Sequence, residues 1–318
     1  LVDELTASQA HERPGILFSY SYTAERPFGW ARKHGWRTVL GQIDPGPVEE
    51  RLVARLHAGS RLAAGNWSPA PAEYWRAWKR ECELADTIVV NSEWSREALA
   101  QEGIPAGKME ILPLAYETKG GVGPPQRAYP AKFCDERPLR TLFLGQANLR
   151  KGLDVLMEAM RLLANEPVEF TIVGPIGVAI PAELHGNRKI RWVGPVARGG
   201  TAEHYRRADV FLFPTHSDGF GLTQLEAQAW RLPLVVSRFC GEVVEDGRNG
   251  LVVDPLTGER LAEALRGLLR NPARLAAMSA ESRVEERFSL DALGRRLLAI
   301  AERFSPDVAS RDSPCSKC

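Results

Sequence analysis

Short runs of β-branched and apolar residues, each followed by an amphipathic stretch, recur along most of the chain. Ile88-Val89-Val90, Val210-Phe211-Leu212-Phe213 and Leu234-Val235-Val236 are examples. A strand joined to the next by a helix returns to start in the same direction. Repeated strand–helix alternation therefore predicts parallel sheets with helices on both faces, an α/β architecture. In the first part the pattern places strands at 16–20, 37–40, 87–91 and 109–112, with helices at 24–34, 48–61, 72–85 and 93–102. Asn91-Ser92 offers a cap just ahead of the last of these helices. In the second part strands are expected at 140–144, 169–173, 189–193, 210–213, 234–237 and 251–253. The matching helices are at 152–164, 202–208, 222–231, 258–270, 272–286 and 290–304.

The alternation breaks at residues 116–138, which are rich in Gly and Pro and lack periodicity, as a linker or long surface loop would be. A chain of 318 residues suggests about two domains. We therefore expect two Rossmann-like lobes with a cleft between them. Residues 1–130 form an N-terminal lobe, 131–288 a C-terminal lobe and 289–304 a helix crossing back to the first lobe. Residues 305–318 form a flexible tail. Ligands of such sheets sit beyond the carboxyl ends of the strands.

Bulk properties exclude several function classes. Formal charge is +1, which gives no general attraction to nucleic acid. No apolar run approaches the roughly 20 residues of a membrane-spanning helix, and no signal peptide opens the chain. The five cysteines, Cys82, Cys134, Cys240, Cys315 and Cys318, are odd in number and sparse, which suits a reducing, cytoplasmic setting rather than a disulfide framework. Cys315 and Cys318 make one C-x-x-C in a polar tail, without the second ligand pair of a zinc site.

Two stretches carry the chemistry. "PTHSDGFGLTQLEAQAW", Pro214 to Trp230, runs from a strand end through Asp218, Gly219, Phe220 and Gly221 into a helix. The glycines let backbone approach a ligand. The amides of Gly221, Leu222 and Thr223 sit where a helix start favours an anion. Glu226, about one turn in, suits vicinal hydroxyls such as those of a ribose, and Asp218 a hexose beside them. "LFLGQANLRKGLDVLMEAMRLL", Leu142 to Leu163, places Gly145 and Gln146 at a strand end and Arg150 and Lys151 at the following helix start. Two cations there neutralise a diphosphate, Arg by paired contacts and Lys as a point charge. "IRWVGPVARG" puts a turn at Val193, Gly194 and Val196 after another strand, able to meet a nucleobase edge. "CGEVVEDGRNGLVVDP", Cys240 to Pro255, reads mainly as turn chemistry before a strand.

Other motifs are missing. The chain has no G-x-G-x-x-G opening a helix, no Walker A loop, no H-E-x-x-H and no kinase catalytic loop to accompany "SDGFG". Its six histidines lack ligand spacing, and His216 in the loop reads as incidental. Trp75, Trp78 and Cys82 share one helical face, read as core or, alternatively, as a sugar-stacking surface.

Together these residues resemble the family-four retaining glycosyltransferases of GT-B fold, glycosyl transferases group 1. The likeness runs through most of 139–253 and includes "ADTIVVNSEWSREAL" and "KMEILPLAY" in the first lobe. The family's Glu-x7-Glu motif is matched by Asp218 and Glu226, and its basic loop ending in Lys-Gly by Lys151-Gly152. The resemblance implies that Lys151 and Arg150 hold the donor diphosphate and that Glu226 holds the donor ribose. It implies that the Asp218–Gly221 loop contacts the transferred sugar, and that Val193, Gly194 and Val196 hold the base. It further implies metal-independent, cofactor-free transfer with retention, from a nucleotide sugar to a saccharide, lipid-linked or other glycoconjugate acceptor, with room for peripheral membrane contact. Gln146 stands where the family often has Arg, a loss for which Arg150 can compensate. Asp218 is one methylene shorter than Glu. The region where some members carry a histidine reads Ser19, Tyr20, Ser21, Tyr22. The start at Leu1 and the lack of upstream strands lead us to expect an incomplete N-terminal lobe. These departures also frame an alternative, a catalytically weak GT-B-like binding protein or partner subunit. A phosphorylase fits less well, because no lysine motif for a pyridoxal cofactor is present.

Overall fold

The computed structural model describes residues 15–63, 67–117 and 126–304. The Cys315/Cys318 pair, the tail and residues 1–14 lie outside them. The first lobe follows the order β1 (Ile16–Tyr20), α1 (Glu25–Lys33), β2 (Arg37–Gln42), α2 (Pro47–Gly59), α3 (Ala72–Leu84), β3 (Thr87–Val90), α4 (Glu93–Gln101) and β4 (Met109–Ile111). Its four strands pair in parallel in the order β1-β2-β3-β4. The second lobe runs β5 (Leu139–Leu144), α5 (Leu153–Leu162), β6 (Val168–Val173), α6 (Ala182–His185), β7 (Ile190–Gly194), α7 (Thr201–Arg207), β8 (Val210–Phe213), α8 (Thr223–Ala229), β9 (Leu234–Ser237) and β10 (Gly250–Val253). Helices α9 (Gly258–Arg270), α10 (Pro272–Glu281) and α11 (Leu290–Glu302) follow.

The second sheet is parallel throughout, in the order β10-β9-β8-β5-β6-β7. The chain winds from β5 outward to β7, then returns to β8 on the other side of β5. The order thus reverses between β5 and β8, and a crevice opens where the loops leaving those two strands diverge. Those loops are the two stretches the sequence singled out. All four residues of β8 are buried, as a central strand covered on both faces requires. One face packs Leu153, Leu156, Met157 and Met160 of α5 against Leu261 and Leu265 of α9.

The observed elements follow the expected ones with shifts of one or two residues at most ends. The short α6 was not expected, because four residues carry no helical period. The helix expected at 272–286 stops at Glu281: Ser282 turns extended and its hydroxyl donates to the Leu232 carbonyl, which draws the chain out of the helix. Residues 126–138 are tied to the second lobe. The Arg127 guanidinium donates to the carbonyls of Trp230, Ala208 and Tyr205, and Tyr129 Oη donates to the Asp209 carbonyl. Trp78 and Cys82 are buried in the first lobe's core with Trp75 partly buried against them, so that face of α3 is packing. Burial raises the Cys82 thiol pKa to about 12, leaving it unreactive. Cys82, Cys134 and Cys240 are free thiols. Helix α11 lies on the first lobe's sheet, where Ile300 joins Val39, Val89 and Leu112.

Asp209 pins the amino-terminal end of this central region. Its two oxygens each accept from Arg137 at 2.7 Å, and one also accepts from the Arg140 amide at 2.9 Å. Asp209→Ala strands a partly buried guanidinium. It should cost about 2–3 kcal/mol, below the upper range for buried pairs because Arg137 keeps some solvent contact. Urea denaturation with an unchanged m-value checks this.

Candidate functional site

A cavity of about 390 Å³ sits at the reversal point, walled by both lobes. Gly145, Gln146, Arg150 and Lys151 enter from the loop after β5, and Asp218, Phe220, Gly221, Leu222 and Thr223 from the loop after β8. The first lobe contributes Ile43, Asn91 and Leu114. Thus nine of the residues singled out from sequence meet in one space.

The two loops are stitched together. The Arg150 carbonyl accepts from the His216 amide at 2.9 Å and from Thr215 Oγ1 at 3.1 Å. The Lys151 amide donates to Asn148 Oδ1 at 3.0 Å, which fixes the turn before α5. His216 lies outside the chemistry: its Nε2 is 3.0 Å from both oxygens of Asp154 at the start of α5.

Lys151 Nζ pairs with Asp218 Oδ2 and lies 5.0 Å from the centre of the Phe213 ring. Both partners are largely buried, at 13% and 16% side-chain exposure. Burial holds the ammonium pKa below the ordinary lysine range, and Asp218 opposes that shift without cancelling it. Arg150 Nη1 donates to the Ser217 carbonyl at 3.0 Å and lies 3.5 Å from Glu49 Oε2. Gln146 is exposed at the cavity edge.

The glycines of the loop answer first to packing. A Cβ on Gly219 would stand 2.3 Å from the Ile43 carbonyl oxygen of the first lobe, so a bare backbone is what lets the lobes touch. Gly221 has φ +85°, and a Cβ there would meet the Phe213 ring at 2.6 Å.

Gly219, Glu226, Val193, Gly194 and Val196 do not line this cavity. Glu226 Oε2 accepts from the Tyr205 hydroxyl at 2.7 Å. Val193 and Val196 pack in the cluster that contains Tyr205, and Leu144 belongs both to that cluster and to the cavity wall. Burial foremost, then the Glu226 charge, raises the Tyr205 phenol pKa, so it stays a donor. Sequence reasoning missed Tyr205, Ser217, Trp94 and Glu49. Trp94 Nε1 donates to Ser217 Oγ at 3.0 Å, and Ser217 Oγ donates to Glu49 Oε2 at 2.7 Å. No local pattern announces these partners, since Glu49 and Ser217 are 168 positions apart.

Residues 138–271 match the family model for glycosyl transferases group 1. The D-inositol 3-phosphate glycosyltransferase of Kineococcus radiotolerans is 30% identical over 97% of this chain and 79% of its own length. A protein named D-inositol 3-phosphate glycosyltransferase 2, from Catenulispora acidiphila, is 35% identical over 85% of this chain and 66% of its own length.

The chain belongs to the glycosyl transferases group 1 family.

The solved structures similar to this group 1 glycosyltransferase share its fold. Anabaena HepE in complex with UDP superposes with a TM-score of 0.68 at 17% identity, over 95% of this chain and 82% of that one. Sucrose-phosphate synthase from Thermosynechococcus elongatus gives 0.69 at 20% identity, over 95% and 77%. The two parallel-sheet lobes are thus those of the GT-B fold. Among the described residues no helix of this glycosyltransferase is long and apolar enough to cross a membrane.

The depressed Lys151 pKa has a measurable sign. Only the protonated ammonium attracts an anion, so affinity for inorganic pyrophosphate should be full below that pKa and fall as pH rises through it, earlier than for an ordinary lysine. Calorimetric titration from pH 7 to 10 tests this. In Lys151→Arg, whose guanidinium stays charged throughout, the alkaline fall should vanish.

Proposed function

We propose that this glycosyltransferase moves a sugar from a nucleotide-sugar donor to a hydroxyl of a saccharide or glycoconjugate, with retention of configuration. The observation that carries the reading is the convergence of Lys151, Arg150 and the Gly221–Thr223 backbone on one cavity at the carboxyl edge of the second sheet, opposite the first lobe. A diphosphate is the anion that such a set grips best, with the ammonium as a point charge and the guanidinium as a planar donor. Glu226 then accepts from the ribose hydroxyls beside Tyr205, and the turn at Val193, Gly194 and Val196 meets the base.

As the glycosidic bond breaks, negative charge grows on the departing diphosphate. Lys151, from a largely buried position, and Arg150 stabilise it there. On donor binding, Lys151 exchanges Asp218 for the diphosphate. The freed carboxylate then accepts hydroxyls of the transferred sugar and supports its oxocarbenium-like character. The acceptor hydroxyl enters from the first lobe and attacks the face that the diphosphate leaves, its proton passing to the departing diphosphate oxygen. Retention rests on the family resemblance. The two relatives from Kineococcus radiotolerans and Catenulispora acidiphila are named as D-inositol 3-phosphate glycosyltransferases, which supports a hydroxyl-bearing ring as acceptor here.

A thermal-shift screen of UDP-, GDP- and ADP-sugars should reveal one that raises the melting temperature, and that donor should then support transfer. Lys151→Ala should lower kcat/KM about 100-fold. Glu226→Ala should act mainly by raising the donor KM, roughly tenfold or more, as expected for loss of a hydrogen bond to a charged group. Tight donor binding with neither transfer nor hydrolysis would instead favour a binding protein.

A further inference from the structure

Arg150 is shared between the lobes. Glu49, in the first turn of α2, reaches across to it with a side chain only 17% exposed. Glu49 Oε2 accepts from Ser217 Oγ at 2.7 Å and lies 3.5 Å from Arg150 Nη1, while Trp94 Nε1 holds Ser217 from the first lobe's side. The charged groups that act on Glu49 are Arg150 and Lys151 from the loop after β5, Asp218 from the loop after β8, and Asp44 from the loop after β2. Burial raises its pKa, and Arg150 and the Ser217 hydroxyl only partly offset this, so the charged carboxylate is held there at a cost.

Both cavity cations therefore already have a carboxylate beside them, but the two carboxylates differ. Asp218 belongs to the same loop as the anion seat and can turn aside locally. Glu49 is anchored to Ser217 beneath the lobe contact, where the Gly219 backbone meets Ile43. Its hydrogen bond to Ser217 ties it to the second lobe beside Arg150, so it keeps its hold on that guanidinium.

We infer that Glu49 is a positioning residue that occupies Arg150 and holds down the affinity of the cleft for the nucleoside diphosphate. The inference rests on the donor reading above. It gives the first lobe a part in the grip on the diphosphate: a product held less tightly leaves faster, and binding the ground state more strongly does not speed the chemistry.

The test is calorimetric titration of UDP, GDP and ADP into wild type, Glu49→Gln, Arg150→Ala and the double variant at pH 7.5. Glutamine keeps an oxygen for Ser217 and removes the charge. Glu49→Gln should bind the preferred nucleotide three- to tenfold more tightly, and the gain should fall below twofold when Arg150 is absent. A merely structural glutamate would give the opposite sign, weaker binding on replacement. Unchanged or weaker binding by Glu49→Gln, or an equal gain without Arg150, overturns the inference while leaving the donor reading intact. If neither wild type nor Glu49→Gln binds any of the three, the donor reading falls and the inference with it. Should Glu49→Gln fail to fold, Glu49→Asp, which retracts the carboxylate by one methylene, should shift affinity in the same direction.

Discussion

A lysine ammonium taken out of water needs an anion beside it, because the ion's hydration is lost on burial. Lys151 meets that need through Asp218, at the one place in the second sheet where the strand order reverses. The rest of the site is arranged around this pair. Phe213 supplies a ring face below the ammonium, Gly221 leaves room for that ring, and Asn148 fixes the turn that delivers the lysine. A cation paired through one carboxylate oxygen at the wall of a cleft can exchange that partner for another anion. A cation locked in a bidentate pair such as Arg137–Asp209 cannot, and that pair sits at the opposite end of the strands, where it serves stability.

The lobe contact and the site share atoms. Gly219 belongs to the acid-bearing loop and is also the backbone that abuts Ile43. Ser217 accepts from Trp94, donates to Glu49 and offers its carbonyl to Arg150. Farther out, the Glu93 amide donates to Glu242 Oε1 at 2.9 Å. A displacement of one lobe against the other therefore acts on Arg150 through hydrogen bonds, with no intermediate element. This is the physical sense in which the cleft is a joint property of two sheets.

The fold was legible because buried parallel strands are near-continuous apolar runs, and β8 and β9 could hardly be read otherwise. The cavity's nine singled-out residues were legible because the two strand-to-helix loops carry unusual concentrations of Gly and charge. What sequence reasoning missed has a common cause. Glu49 in a first helical turn looks like an acid paired with a helix dipole, and only the folded chain brings it to Ser217. Tyr205 sits in an undistinguished helix, and its tie to Glu226 depends on how α7 and α8 lie around β8. The role of Gly219 was read as ligand approach, whereas the space beside it is filled by the other lobe. Long-range packing of this kind leaves no local pattern.

The most direct measurement is a crystal structure of the chain with whichever of UDP, GDP or ADP raises its melting temperature most. The account predicts diphosphate oxygens at about 2.8 Å from Lys151 Nζ and within hydrogen-bond reach of the Gly221 amide, with Asp218 released from the lysine. A nucleotide whose diphosphate lies away from the loops after β5 and β8, with the Lys151–Asp218 pair intact, would contradict it.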